Sequence, residues 1–183
     1  MIDQLILITG MPGAGKTTLA SYFIERGFTA MSMGDVIRDL AAERGVKPSP
    51  AVLGALAKEI RAEGGDAAVA ERCVDKLKTM DFRKVLIDGI RSIAEVDKFK
   101  DQFNAKLVAV YASVETRYYR LKSRRRSDDP LDRESFTVRD MRELGFSMGH
   151  AIALSDYMIV NEGSLEEFKA EFNQLAAWLG LYE

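Results

Sequence analysis

The sequence predicts an α/β protein built on a parallel sheet with helices over both faces. Short continuous apolar runs alternate with helical patterns, as crossover units require. A glycine-rich turn ending in Lys-Thr joins the first apolar run to the first helix. The alternation lapses once, over 34–80, where helix follows helix without a strand, and that stretch reads as an insertion on the sheet.

Each element has a local reason. "QLILIT" (4–9) is an apolar run of the kind found in strands buried on both faces. From Lys16 the period turns helical, with Leu19, Ala20, Phe23 and Ile24 on one face and Gly27 at the stop. "FTAMSM" (28–33) reads as a second strand. Val36, Ile37, Leu40 and Ala41 form a stripe ending at Gly45. Ser49 and Pro50 open a helix that stops at Gly64-Gly65, and Asp66 is positioned to cap the next one, to about Thr79. "KVLIDG" (84–89) is a strand, Ser92 caps a helix, and "AKLVAVYA" (105–112) is a further strand. Ser113 caps a basic helix, and "FTVRDMREL" (136–144) is helical to Gly145. "DYMIVN" (156–161) is the last strand. "SLEE" (164–167) forms a capping box before a helix with Leu165, Phe168, Phe172, Leu175 and Leu179 on one side.

Composition narrows the class. The chain has 183 residues, 47% hydrophobic and 30% charged, which fits one globular domain with an inserted subdomain. A net charge of −2 argues against broad nucleic-acid binding. No run approaches the ~20 apolar residues of a membrane span. "MIDQLILITG" lacks the basic lead-in and cleavage site of a signal peptide and reads as a strand. Cys73 is the single cysteine, so an intramolecular disulfide framework is excluded, and a reducing cytoplasm is the expected setting.

Gly10-Met11-Pro12-Gly13-Ala14-Gly15-Lys16-Thr17, followed by Thr18, fits the Walker A pattern between a strand and a helix. Backbone N–H groups of such a turn face phosphate oxygens, and the helix adds its positive dipole end. Lys16 is expected on the β- and γ-phosphates of ATP, and the Thr17 hydroxyl on Mg²⁺. Asp88, at the carboxyl end of a strand, is the expected second contact to the Mg²⁺ shell, or else the start of a turn with Gly89. The expectation is therefore a P-loop NTPase three-layer fold with a five-stranded parallel sheet, a helical acceptor-binding insertion and a short arginine-rich lid. Its parts are a core of 1–33, 81–116 and 145–183, the insertion 34–80, and the lid 117–144.

Positions 120–126 hold four arginines and a lysine, although the chain is slightly acidic overall. Phosphoryl transfer needs positive charge around the moving group and a closing lid more than covalent chemistry. Arg117, Arg120 and Arg124 share one helix side and can converge on a triphosphate, with Arg120 and Arg124 as catalytic candidates beside Lys16 and Asp88. Arg125 and Arg126 lie near the lid tip, where a solvated face is an equal reading. Asp128 and Asp129 can pair with these arginines, or with Arg133 or Arg139, while the lid is open.

Arg38 and Arg91 are expected near the carboxyl edge of the sheet, where they can face a second anion. Here "GMPGAGKTT", "SMGDVIR", "DGIR", "RLKSR" and "RD" together resemble nucleoside monophosphate kinases of the adenylate-kinase type. That resemblance implies that Gly34, Asp35 and Arg38 open the acceptor site and that Arg38 holds the acceptor's phosphate. It implies that Arg91 meets the same phosphate from a segment one residue shorter than the family's, and that Arg139 is a lid arginine. "SDYMIVNEGSLEEF" resembles dephospho-coenzyme A kinase and implies that Asn161 and Gly163 lie near the adenine of ATP. Over nearly its whole length the chain resembles an archaeal family of adenylate-kinase-related P-loop proteins between these two.

The resemblance implies ATP, Mg²⁺ and a phosphorylated small-molecule acceptor as partners, without membrane or favoured nucleic-acid binding; monomer and dimer both stay open. Three functions follow. The first is an ATP-dependent kinase acting on a nucleoside monophosphate-like acceptor. The second is transfer to a hydroxyl, as on dephospho-coenzyme A, with Asp35 as base, although an Asp before an apolar helical stripe reads more readily as an N-cap. The third is an ATP-switched assembly factor or ATPase contacting RNA or protein through Arg124 to Arg126. His150, Cys73, Tyr118, Tyr119 and Trp178 read as structural, with Trp178 as the anchor of the last helix.

Overall fold

The computed structural model describes residues 2–124, 126 and 129–181; Arg125 and Asp128, which the sequence assigns to the lid tip, lie outside them. Five parallel strands form one sheet in the order β2-β3-β1-β4-β5. They are β1 (Gln4–Thr9), β2 (Thr29–Ser32), β3 (Lys84–Asp88), β4 (Ala105–Tyr111) and β5 (Tyr157–Val160). Leu5 and Leu7 of β1 enter one apolar core with Val85 and Ile87 of β3, while Ile6 and Ile8 enter the other with Leu86 and Val108. This alternation is the two-residue period of a strand covered on both sides. No helix among the described residues is long and apolar enough to cross a membrane.

Helices α1 (Lys16–Glu25) and α9 (Leu165–Trp178) cover one face. Phe23 lies 5.1 Å from both Phe28 and Phe172, ring edge to ring face. The other face is covered largely by α2 (Met33–Glu43), α3 (Pro50–Gly64), α4 (Ala68–Lys78) and α5 (Ile93–Lys100). Cys73 is fully buried there, and desolvation pushes its thiol up to about 12, so it is an inert core residue. Helices α6 (Val114–Arg124) and α7 (Arg133–Leu144), followed by a short α8 (Met148–Ala153), lie between β4 and β5.

Parallel pairing sets Ser32 beside Asp88 and Ile8 beside Asp88. The ends of β1, β2 and β3 therefore open onto one edge of the sheet. This is the crevice outside the carboxyl ends of strands where α/β proteins bind ligands.

Several local expectations are corrected. Asp35 is not the N-cap of α2. Ser32 is, accepting from Gly34 N–H at 3.0 Å, and Asp35 closes the capping box by accepting from Ser32 N–H at 2.8 Å. Ala67, not Asp66, stands at the N-cap of α4, with no side-chain cap. Helix α8 follows Ser147, a non-glycine residue in the left-handed region at φ 67°, and its short span carries too little periodicity to be read from sequence. Ile24 and Leu165 are exposed, and Trp178 is half exposed against Tyr157 at 5.2 Å rather than a buried anchor.

Candidate active site

The turn over residues 10–15 wraps the end of β1 and starts α1. Gly15 has φ 112° and Gly13 has φ 83°, both left-handed backbone that disfavours side chains. A methyl group on Gly15 would strike the Asn161 side chain, and one on Gly13 would stand 2.8 Å from the Arg117 carbonyl. The loop is thus pressed between the end of β5 and helix α6. Pro12, Gly13, Gly15, Lys16, Thr17 and Thr18 line an inner cavity of about 430 Å³, whereas Ala14 is buried behind it.

Lys16 folds back over the loop, donating to Gly10 O at 2.6 Å and Met11 O at 3.4 Å. Desolvation pushes its ammonium below the usual lysine range, while the carboxylates of Asp88 and then Glu143 pull it back up. Asp88 ends β3, and its Oδ1 is buried with no hydrogen-bond partner among the described residues. A buried carboxylate oxygen left open at the sheet edge is what a bound cation or its water would satisfy.

The arginines of α6 diverge. Arg117 does not join the cavity. It makes a paired ion bridge to Asp140 of α7 at 2.7 and 2.6 Å and donates to Pro12 O at 3.3 Å. Arg120 and Arg124 do line the cavity. Arg120 donates to Asn161 O at 2.9 Å and Oδ1 at 3.2 Å. Asn161 also donates through Nδ2 to Ala14 O at 2.8 Å, and it lines neither cavity. Its side chain is spent on bracing the loop and Arg120. Gly163 is exposed, and a side chain there would meet the Glu167 carboxylate of the capping box of α9.

Arg124 grips Asp129 through two bonds, at 3.0 and 2.5 Å, and Arg139 stands 3.5 Å from the same carboxylate. The Arg124 bond, then the backbone N–H of Arg126, hold Asp129 down to about 2 against desolvation. Arg133 pairs with Glu115 instead.

A larger outer cleft of about 1010 Å³ runs between α2 and α3 on one side and α7 with the segment before it on the other. Gly34, Arg38, Arg91 and Arg139 all line it, so the sequence-selected acceptor residues meet there, except Asp35. Asp35 accepts from Ser32 N–H and from Arg38 at 2.5 Å, and these bonds outweigh desolvation to hold its carboxyl below the usual range. His150 is exposed on α8 and lines neither cavity.

Three residues, Arg91, Arg139 and Glu143, line both spaces. Glu143 is buried, 3.4 Å from Arg91 Nε and 3.1 Å from Arg142 Nη2. Sequence reading missed it, as it missed Arg61, whose guanidinium and that of Arg91 each lie 5.4 Å from the Phe146 ring. A signal was present. Phe136, Asp140 and Glu143 fall at i, i+4 and i+7, so the face that buries an aromatic also carries both acids inward.

Comparison with known proteins adds kinship. A family model described as "AAA domain" matches residues 6–142. A "UPF0200 protein" of Hyperthermus butylicus is 46% identical over 175 residues, covering 96% of this chain and 94% of that one. Among solved structures, TT1252 from Thermus thermophilus superposes with a TM-score of 0.62 at 19% identity, covering 98% of this chain and 99% of that one. Shikimate kinase from Bacteroides thetaiotaomicron gives 0.59 at 17% identity, over 96% and 98%. Both are likenesses of fold.

Proposed function

The chain belongs to the UPF0200 family, and from that membership and the geometry of its site we propose that it is an ATP-dependent phosphotransferase. It moves the γ-phosphoryl group of ATP to a small acceptor that bears its own phosphate, a nucleoside monophosphate or a molecule like it. The observation that carries this reading is the junction. A phosphate cradle and a cation-rich cleft share Arg91, Arg139 and Glu143, and an ATPase without an acceptor has no use for a second chamber walled by the same residues.

The donor occupies the inner cavity, with backbone N–H groups of residues 13–17 on its phosphates. Lys16 leaves the Gly10 and Met11 carbonyls to meet the β- and γ-oxygens. Arg120, pre-set by Asn161, neutralises charge from the lid side. Thr17 and the open Oδ1 of Asp88 fit Mg²⁺, which proteins usually hold with one or two oxygen ligands plus substrate phosphates. When bound, the ion would neutralise charge on the β- and γ-phosphates. The acceptor's phosphate is held by Arg38 in the outer cleft, with Arg91 and Arg139 between the two ligands.

Arg38→Ala is the direct test. Arg38 is half exposed and, among the described residues, pairs locally with Asp35, so its removal should leave the fold intact. A charge-assisted bond contributes about 1.5–3 kcal/mol, so the acceptor KM should rise about tenfold to a hundredfold. ATP affinity should hold. ADP release measured across nucleoside monophosphates, dephospho-coenzyme A and a no-acceptor control identifies the acceptor first; an unchanged KM with the best acceptor would refute the assignment.

Asp129 has a separable role. It occupies Arg124 and Arg139 as a substitute anion, and ATP must draw those arginines away. An ion pair of this partly exposed kind contributes up to ~1 kcal/mol. Asp129→Asn should therefore tighten ATP binding about two- to fivefold in calorimetry, and weaker binding would contradict the competition. Because the Asp129 carboxyl is depressed in the folded state, its contribution is present above the ordinary carboxyl range near ~4. It is lost as pH falls towards about 2.

A further inference from the structure

We propose that the group attacking the γ-phosphorus is a hydroxyl of the acceptor and that Glu143 takes its proton. This rests on the phosphotransferase reading and narrows it. Glu143 is the one carboxylate lining the inner cavity among the described residues, and it also lines the outer cleft. The attacking atom has to stand where those two spaces meet.

The other acids near the cleft are committed elsewhere. Asp129 is gripped by Arg124, Asp132 closes a capping box with Ser135, and Asp35 lines neither space. The charged groups facing Glu143 are Arg91 from the loop after β3, Arg142 beside it on α7, and Lys16 of α1 across the cavity. Arg139, one turn back on α7, lines the same two spaces, and Asp88 also acts on Lys16.

A phosphate used as nucleophile needs no base, and its negative charge would meet a buried carboxylate at the transfer point. A neutral hydroxyl meets no such repulsion and can donate to Glu143. The cleft's cations farther out, Arg38, Lys58 and Arg61, then hold the acceptor's phosphate away from the reacting centre. The substrate class is thus a phosphate-bearing alcohol. In the step, the hydroxyl oxygen bonds to the γ-phosphorus, the bond from that phosphorus to the β–γ bridging oxygen breaks, and ADP departs. The hydroxyl proton passes to the Glu143 carboxylate, which returns it to water after product release. In a loose transfer the proton leaves late, so a modest base serves.

The test uses the full chain with γ-labelled ATP. The probes are the 5′-nucleoside monophosphates, dephospho-coenzyme A, ribose 5-phosphate and glycerol 3-phosphate. Each carries both a phosphate and a hydroxyl, so the linkage formed is the readout. An ester survives brief heating in strong acid, whereas a phosphoanhydride releases its label. We expect acid-stable label. Glu143→Gln should lower kcat about 10²–10⁴-fold while changing the ATP Kd less than about twofold. Glu143→Asp, which keeps the carboxylate, should recover part of that kcat. A carboxylate that merely held Arg91 in place would raise the acceptor KM and leave kcat intact, which would overturn the proposal. Acid-labile label in the wild type would overturn it without any variant, and would leave the phosphotransferase reading standing. Label released only as inorganic phosphate with every probe would remove both.

Discussion

Lys16→Ala should abolish turnover, with kcat/KM for ATP falling at least about a thousandfold in an ADP-release assay. In phosphoryl transfer most catalysis is positioning and charge neutralisation, and removal of one preorganised donor costs about 10²–10³-fold even where others remain. Lys16 does both jobs. Its ammonium is already anchored 2.6 Å from the Gly10 carbonyl, beside a loop whose backbone is set by positive-φ glycines. It is also the cation on which the Asp88 and Glu143 carboxylates act, so its loss leaves both without that counter-charge. The variant should fold normally, since its hydrogen bonds are to loop carbonyls that water can satisfy. Its ATP affinity, measured by calorimetry with Mg²⁺, should fall as well. Retention of even a tenth of the wild-type rate would mean that the phosphates lie elsewhere.

Asp140→Ala should be the most destabilising single change near the site. The Arg117–Asp140 bridge is bidentate, with side chains 5% and 12% exposed, and the Arg117 guanidinium lies 5.2 Å from the Phe136 ring. Removing one partner of a buried pair strands the other charge at a cost of about 3–5 kcal/mol. For a domain of this size that lowers Tm by roughly 6–20 °C. Arg117 also donates to Pro12 O and to Ala112 O, so the damage should reach the phosphate loop and raise the KM for ATP. The double variant Arg117→Met, Asp140→Leu should recover much of the lost Tm, because neither charge is then stranded. A double variant less stable than Asp140→Ala would show that the bridge contributes net stability rather than merely being costly to halve.

The parts of this protein that sequence reveals are those whose cause is local. The strands announce themselves as apolar runs, and the phosphate loop as glycines at fixed spacing before Lys16. Ser92, Ser49 and Ser164 cap their helices as their positions suggest. Arg38, Arg91 and Arg139 converge on one cleft, although they come from three separate elements. Where the reading failed, a side chain's meaning depended on a distant partner. Arg117 has the same helical side as Arg120 and Arg124, yet it turns inward because Asp140, 23 residues away, waits on α7. Asn161 becomes a brace for Ala14 only once β5 lies beside β4 and the loop comes within reach. Glu143 was hidden in "RDMREL", a string that looks like a solvated helix face until Phe136 is seen to bury it.

The sharing of Arg91, Arg139 and Glu143 between two chambers has a thermodynamic consequence. Whatever free energy one ligand spends or saves in arranging those side chains is inherited by the other, so the two affinities are linked and reciprocal. Nucleotide should bind more tightly when the acceptor is present, and by the same factor the acceptor should bind more tightly when nucleotide is present. Such synergy would suppress futile hydrolysis, because the arrangement that activates the terminal phosphate is completed only when both guests have arrived.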